Sequence, residues 1–298
     1  MMTRPMTDTA APAPNAAMEH HWNGQAGEAW VELGRLLDQQ LHALGLEAQR
    51  ALDLQPGERV LDIGCGGGET SIDLARAVSP GGAVLGVDIS RTLLQQVAER
   101  RVAGLGLDIR LQVADAQTSD FGGERFDRVF SRFGVMFFSD PTAAFANILQ
   151  ALKPAGRLAF VCWRGPSENP HMTGSFTAVE HLLPPLPPSD PLAPGPFAFA
   201  DPERVRRILA DAGFGEIAIR PYDAQAGGLD FEDRMIIAQR MGPLAAVLRE
   251  NPDLRPQVQH ALAADLRRQM GADGKVRTNA AVWIVTATAI PKLCSLPV

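Results

Sequence analysis

The segment Val60-Leu61-Asp62-Ile63-Gly64-Cys65-Gly66-Gly67-Gly68-Glu69-Thr70 limits the fold more than any other part of this chain. Its apolar run reads as a short buried strand, the glycines as a sharp loop, and Thr70 onward as a helix start. Glycine lets the backbone turn through left-handed angles and approach a ligand closely, since no Cβ intervenes. An acid, Asp62, stands just before the first glycine. A carboxylate there suits a cationic or donor-rich ligand better than a pyrophosphate.

The pattern around this segment alternates. Strands are expected over Arg59–Ile63, Ala83–Val87, Ile109–Val113, Phe126–Phe130 and Arg157–Trp163. Between them lie helices over Thr70–Val78, after the capping Ser90, and from Asp140-Pro141 to the stop at Lys153-Pro154-Ala155-Gly156. Strands alternating with helices imply right-handed βαβ units and a mostly parallel sheet. Glu216–Arg220 and Ala281–Ala287 read as two further strands. The fold class is therefore α/β, a Rossmann-like seven-stranded, mostly parallel sheet with helices on both faces, plus a helical and Pro-rich cap.

The division of the chain follows from the same punctuation. Residues 1–18 are rich in Ala, Pro and Thr, lack the apolar core of a signal peptide, and read as a disordered leader. Residues 19–54 carry Trp30, Leu33, Leu36, Leu37, Leu41 and Leu44 at helical spacing and form an N-terminal helical cap, with Gly24 and Gly27 breaking the approach and a loop near Trp22. The Rossmann-like core is residues 55–164. Residues 165–200 form a cap insertion with too many prolines for regular helix or a central strand. Residues 201–298 complete the sheet, with a helical insertion at 222–275.

A chain of 298 residues has length for one large domain, or for a core of about 150–200 residues with additions. Its net charge of -6 lacks the basic footprint of a nucleic-acid binder, and no nucleic-acid partner is expected. Arg204, Arg206 and Arg207 read as the solvated face of a helix. No apolar run reaches the roughly 20 residues of a membrane span. Cys65, Cys162 and Cys294 lack metal-ligand spacing, so no metal site is expected and the setting is a reducing, cytoplasmic one. Cys65, inside the loop, is either a reactive thiol or a small filler.

In an open α/β sheet, ligands sit at the carboxyl ends of the strands, where strand order reverses. Asp62, Asp88 and Asp115 each close a different strand there. The carboxylate of Asp88 can accept two hydrogen bonds from a ribose diol, and Asp115 can accept from an adenine amino group. Two cofactors compete for this arrangement. A nicotinamide dinucleotide needs Gly-x-Gly-x-x-Gly, and counting from Gly64 the third glycine position is Glu69. Negative charge at Asp62 and Glu69 opposes a pyrophosphate. S-adenosylmethionine has no phosphate, carries a sulfonium and an ammonium, and is the donor these acids favour.

Segment 59–163 resembles the class I S-adenosylmethionine-dependent methyltransferases, in the broad group that includes the ubiquinone and menaquinone biosynthesis methyltransferases. The matching pieces are Val-Leu-Asp-Ile-Gly-Cys-Gly-Gly-Gly (60–68), Gly-Val-Asp-Ile-Ser (86–90), Val-Ala-Asp-Ala (113–116) and Leu-Lys-Pro-Ala-Gly-Arg-Leu (152–158). The resemblance implies S-adenosylmethionine as cofactor, with Gly64 and Gly66 beneath its methionine part and Asp62 and Cys65 beside them. It implies that Asp88 binds the ribose, that Ile89 flanks the adenine, and that Asp115 with Ala116 meets the adenine edge. Ala155 departs from the family, which usually has glycine there.

The resemblance also implies where the acceptor sits. Ser131-Arg132-Phe133-Gly134-Val135-Met136 follows the fourth strand, facing cofactor and acceptor, so Ser131 is assigned to the cofactor and Arg132, Phe133 and Met136 to the acceptor. The Asn-Pro-Pro-Tyr motif of relatives acting on nucleic acid or protein is missing. Trp30 and Trp22, on the N-terminal cap, are placed near the sulfonium and the acceptor, with ordinary packing as the alternative. His20, His21 and His171 are candidate general bases, needed only for an acceptor of high pKa. The reading is methyl transfer to a small, fairly apolar metabolite. An NAD(P)-dependent oxidoreductase and a non-catalytic S-adenosylmethionine-binding protein stay open, as does a homodimer.

Overall fold

The computed structural model describes residues 14–186 and 190–290. Most of the expected leader, together with Pro187, Pro188 and Cys294, lies outside the described residues. From Asn15 onward the chain departs from that expectation, because Asn15 is buried and a helix begins at the next residue.

Two helices come first, α1 (Ala16–Asn23) and α2 (Gln25–Leu52). Leu33, Leu36, Leu37, Leu41, Leu44, Ala48 and Leu52 recur every three or four residues along α2 and are all buried. That stripe covers 20 of the helix's 28 residues, or about 30 Å of its length. Gly24 separates α1 from α2, but Gly27 lies inside α2 and Trp22 is helical, so the break and loop expected there give way to a tight helix–helix corner. Gly27 is required by the corner: a Cβ there would stand 2.0 Å from the Trp22 carbonyl oxygen.

The core then alternates as β1 (Arg59–Ile63), α3 (Glu69–Val78), β2 (Ala83–Asp88), α4 (Arg91–Leu93), α5 (Glu99–Val102), β3 (Ile109–Val113), β4 (Phe126–Arg132), α6 (Pro141–Ala151) and β5 (Leu152–Trp163). A π-turn over Leu94–Ala98 joins α4 to α5. Ser90 caps α4 by accepting from the Leu93 amide, and Asp140 caps α6 by accepting from Ala143. The cap and completing region contain α7 (Pro170–Thr177), α8 (Pro202–Asp211), β6 (Phe214–Leu229), α9 (Phe231–Arg240), α10 (Gly242–Glu250), α11 (Arg255–Gln269) and β7 (Val276–Ala289).

Seven strands form one sheet in the order β3-β2-β1-β4-β5-β7-β6, with β7 antiparallel to both of its neighbours. Strand order reverses between β1 and β4, and parallel registers such as Ile63 with Val87 and Asp88 with Val113 bring the strand ends to one edge. That edge is the crevice where an α/β sheet binds ligands. Behind it Phe145 packs on Phe160 and Phe199, with Phe138 and Phe214 meeting it edge-on.

Two expectations about the second half change. Pro170 opens α7 at its first turn, where the missing N–H costs nothing, so the Pro-rich insertion does contain a regular helix. β6 and β7 both run past their expected ends: Ala224–Leu229 pairs with Val276–Ala280 in an extended ribbon, which shortens the helical insertion to α9–α11. Pro221 is tolerated because β6 is the sheet's edge strand. The helices there build a small core of their own, with Val179, Ala238, Leu244, Leu248, Val258 and Leu262 buried together.

Candidate active site

The glycine loop is bent by left-handed angles at Gly64 (φ 69°), Gly66 (φ 51°) and Gly68 (φ 81°). These three serve different ends. A Cβ on Gly64 would stand 3.0 Å from Gly134 Cα, so this glycine lets the loop after β4 approach β1. Gly68 caps α3. Around Gly66, by contrast, a Cβ would meet nothing within 4 Å, so its backbone borders open space at the crevice.

Asp88 fixes that loop. Its two carboxylate oxygens accept from the Gly66 amide at 2.8 Å and the Ser90 amide at 2.7 Å. Burial raises its pKa, and the two amides work against that shift. Ile89 follows, its carbonyl accepting from Asn23 Nδ2 of α1 at 3.1 Å. Asp115 Oδ1 accepts from the Gln117 amide at 2.9 Å and from Asn15 Nδ2 at 3.2 Å, and Ala116 beside it is buried. A cavity of about 340 Å³ opens between α1 and this edge, lined by His20, Asn23, Ile89 and Val113 among others.

Asp62 is fully buried on β1. One oxygen accepts from Thr70 Oγ1 at 2.6 Å and Ser71 Oγ at 2.7 Å, tying the strand to the start of α3, while Oδ1 has no partner. Burial pushes its pKa up to about 6 despite those hydroxyls. Cys65 is buried and its thiol is pushed well up by burial and then by Asp62, which favours the filler reading over a reactive thiol.

Glu69 is not a free negative charge. Arg132 at the end of β4 reaches Glu69 at 2.9 Å and Asp38 of α2 at 2.6 Å, and Arg101 joins Asp38 at 2.7 Å. Burial works against the charge on Asp38, but Arg132 and Arg101 hold its pKa below the usual range. Arg132 stays charged through the same carboxylates. This lattice ties α2, α3 and β4 together, so the sequence argument that Glu69 repels a pyrophosphate loses its force. Asp38 and Arg101 carry no motif; their only signal is that polar residues flank an apolar stripe.

Ser131 is fully buried, donating to the Ile63 carbonyl at 2.8 Å and accepting from the Gly134 amide at 3.2 Å, so its hydroxyl joins β1 to β4. Phe133 sits in a left-handed conformation (φ 60°) and stacks on Trp163 at 4.3 Å, and Trp163 stacks on His171 at 6.0 Å. Met136 is buried behind them. Trp22 meets Trp30 edge-on at 6.2 Å and Phe137 at 5.1 Å, so α1 is pinned over the loop after β4. His171 Nδ1 lies 3.2 Å from Thr278 Oγ1, and burial, then Arg234, lowers its pKa to about 3. A nitrogen of such low basicity is a poor proton acceptor near neutrality. His20 and His21 lie on α1, away from His171, and burial with a repulsion from His20 lowers His21. The structure thus groups Gly66, Asp88, Ile89, Asp115 and Ala116 at one edge, and Phe133, Trp163 and His171 at another.

Comparison with known proteins identifies the domain that carries this edge. Residues 60–156 match the family model of a methyltransferase domain. Aklanonic acid methyltransferase DauC of Streptomyces sp. (strain C5) is 39% identical over 105 residues, covering 35% of this chain and 47% of that protein. Demethylmenaquinone methyltransferase of Bacillus cytotoxicus is 34% identical over 113 residues, covering 38% and 47%. The chain therefore spans less than half the length of these relatives. Among solved structures, a phosphoethanolamine N-methyltransferase 2 from Haemonchus contortus, in complex with S-adenosylhomocysteine, has a TM-score of 0.54 at 17% identity, over 94% of this chain and 61% of that one. The [4+2]-cyclase SpnF shares the fold too, with a TM-score of 0.51 at 19% identity over 84% and 82%. Residues 60–156, with their glycine loop and strand-end acids, are a methyltransferase domain of the class I, S-adenosylmethionine-dependent type.

Proposed function

We propose that this protein transfers a methyl group from S-adenosylmethionine to a small metabolite with a largely apolar body. The observation that supports it most is the pairing of Gly66, with open space where a side chain would stand, and the buried Asp88 that holds its amide. These residues fit the donor. The backbone of Gly64 to Gly66 would underlie the methionine part, Asp88 would accept from the ribose hydroxyls, Ile89 would flank the adenine, and Asp115 with Ala116 would meet its edge. Each carboxylate oxygen has a second lone pair, so the amide bonds of Asp88 leave room for a diol.

S-adenosylmethionine supplies the electrophilic methyl group. The chain's own work is to align the acceptor and keep water out, which proximity and a closed apolar site achieve. Phe133 and Trp163 offer the acceptor a flat apolar wall, while Trp22 and Trp30 close the site from α1 and α2. Arg132, Ser131 and Met136 hold that wall in place, and none of the three turns a free polar group to the acceptor. Cys65 packs beneath the loop. Of the three histidines, His20 lines the 340 Å³ cavity. We place the protein in a reducing, cytoplasmic setting, which the two buried free thiols Cys65 and Cys162 support. No helix among the described residues is long and apolar enough to cross a membrane.

Calorimetric titration of the purified protein with S-adenosylmethionine and with NAD separates the donor reading from the oxidoreductase one. Binding of NAD alone would overturn it. Label transfer from methyl-labelled donor into a metabolite extract then separates an enzyme from a binding protein.

A further inference from the structure

Arg234 on α9 carries a positive charge that the rest of the chain does not match. It is 6% exposed, and among the described residues its guanidinium makes no ion pair. Its one hydrogen bond runs from Nη2 to the His171 carbonyl oxygen at 3.0 Å. Burying a cation without a counter-charge is costly, and arginine holds its proton even when buried. The charge is therefore retained at a cost that folding alone does not explain.

Its surroundings define a place. Ile237 and Ala238, one turn along α9 on the same face, are buried, and Ile237 joins Leu33, Leu36 and Leu37 of α2, with Trp30 packed against that cluster. Across from this face is α7, where the His171 ring stacks on Trp163 and, through it, on Phe133 at the tip of β4. The guanidinium thus stands at the far end of the aromatic wall that begins beside the glycine loop. Of the cations on neighbouring elements, Arg164 is matched by Asp223 and Glu168, Lys275 by Asp230 and Arg240 by Glu32, while Arg267 of α11 stands over the Phe231 ring. His171 is held neutral by its burial.

We infer that Arg234 is the recognition site for a carboxylate on the methyl acceptor, which is an aromatic or alkyl carboxylic acid lying along Phe133 and Trp163. The inference rests on the methyl-transfer reading above. One unmatched positive charge in an apolar setting calls for one negative charge, and a planar carboxylate fits the guanidinium fork. A doubly charged phosphate would need a second cation, and none is free among the described residues at this wall. The apolar stack on one side and the single cation on the other then fix the acceptor's direction, and with it the atom presented to the donor.

The test uses the full chain with S-adenosylhomocysteine present and three acids, benzoate, cinnamate and decanoate, each titrated beside its primary amide by calorimetry. At least one acid is expected to bind tenfold or more tightly than its amide. Arg234→Gln should abolish that preference, and Arg234→Lys should keep part of it. Acids and amides binding alike, no acid binding at all, or an undiminished preference in Arg234→Gln would each overturn the inference. Should Arg234→Gln fail to fold, the acid–amide comparison in the native chain and in Arg234→Lys decides. The affinity for S-adenosylhomocysteine is read in parallel: it should be unchanged in both variants, and its absence in the native chain would refute the methyl-transfer reading instead.

Discussion

The carboxylate of Asp88 accepts the amide of Gly66 across 22 residues of sequence, at 2.8 Å. One bond thus joins the end of β2 to the only loop glycine whose missing side chain opens onto the crevice. Asp88 both shapes the loop and faces the place proposed for the ribose. Asp88→Ala should therefore weaken binding of S-adenosylmethionine by about tenfold or more, since each charged hydrogen bond lost is worth roughly 1.5–3 kcal/mol. Calorimetric titration measures this, and an unchanged affinity would remove the ribose assignment.

Asp62 gives a pH-dependent prediction. Its folded pKa is about 6, against an ordinary 3.8, with burial as the leading cause. A raised carboxyl pKa means that the folded state binds the proton more tightly. Below the ordinary value both states are protonated and no penalty arises. From there the unfolded chain gives up the proton while the buried carboxyl keeps it, so folding loses about 3 kcal/mol by the time pH has risen through the folded value. Asp62→Asn keeps an acceptor for Thr70 and Ser71 but cannot ionise. Its stability relative to the native chain should rise by about 2–3 kcal/mol between pH 4 and pH 7, as read by urea denaturation. A flat difference across that range would mean that Asp62 does not titrate there.

How much of this was legible in the sequence depends on the range of the interaction. Strand and helix starts such as Arg59, Ile109 and Asp140 were readable because caps, glycines and apolar alternation act within a few residues. The ends of β6 and β7 were not, because Ala224–Leu229 becomes strand only by pairing with Val276–Ala280, some fifty residues away. The site divides in the same way. Asp88 and Asp115 stand in motifs at strand ends, whereas Asp38 and Arg101 matter only because tertiary packing brings them to Arg132. Arg234 had a faint signal, standing three and four residues before Ile237 and Ala238 on an otherwise apolar face. Pro170 misled by its company, since a proline at a helix start is favourable however many others surround it.

Ala155 ties a motif to a measurable strain. Its φ is 63°, a left-handed angle that costs a residue with a Cβ about 1–2 kcal/mol, and its side chain is exposed. The glycine that the resemblance implies at this position has a physical reason. Ala155→Gly should stabilise the protein by about 0.5–1 kcal/mol after the greater entropy loss of glycine is counted. Donor binding should not change. A loss of stability in thermal denaturation would mean that the turn is held differently.

Arg132 tests whether the ion lattice is structural. It bridges Asp38 and Glu69 while itself 10% exposed at the side chain. Removing one member of a buried pair leaves the others uncompensated, which costs about 3–5 kcal/mol. Arg132→Gln should therefore lower stability by about 3 kcal/mol, somewhat less than the full figure because Arg101 still serves Asp38. A variant of native stability that had lost turnover would restore Arg132 to direct acceptor contact.

Asn15 occupies the place proposed above for the adenine of the donor. Its Nδ2 donates to Asp115 Oδ1 at 3.2 Å, as the amino group of an adenine would, and its Oδ1 accepts from the Ser139 amide at 3.2 Å. Pro14 adds a carbonyl that accepts from Ser139 Oγ at 2.7 Å. If the adenine amino group takes the Asn15 position on Asp115 Oδ1, the donor must first displace the Asn15 amide. Such a hydrogen bond is worth about 1 kcal/mol net, or roughly fivefold in affinity. Asn15→Ala should then bind S-adenosylmethionine about three- to fivefold more tightly, with the gain in the association rate measured by stopped-flow tryptophan fluorescence. The same substitution in an Asp115→Ala background should bring no gain, because the bond it removes is already absent. A gain that persists in the double variant would place the adenine elsewhere.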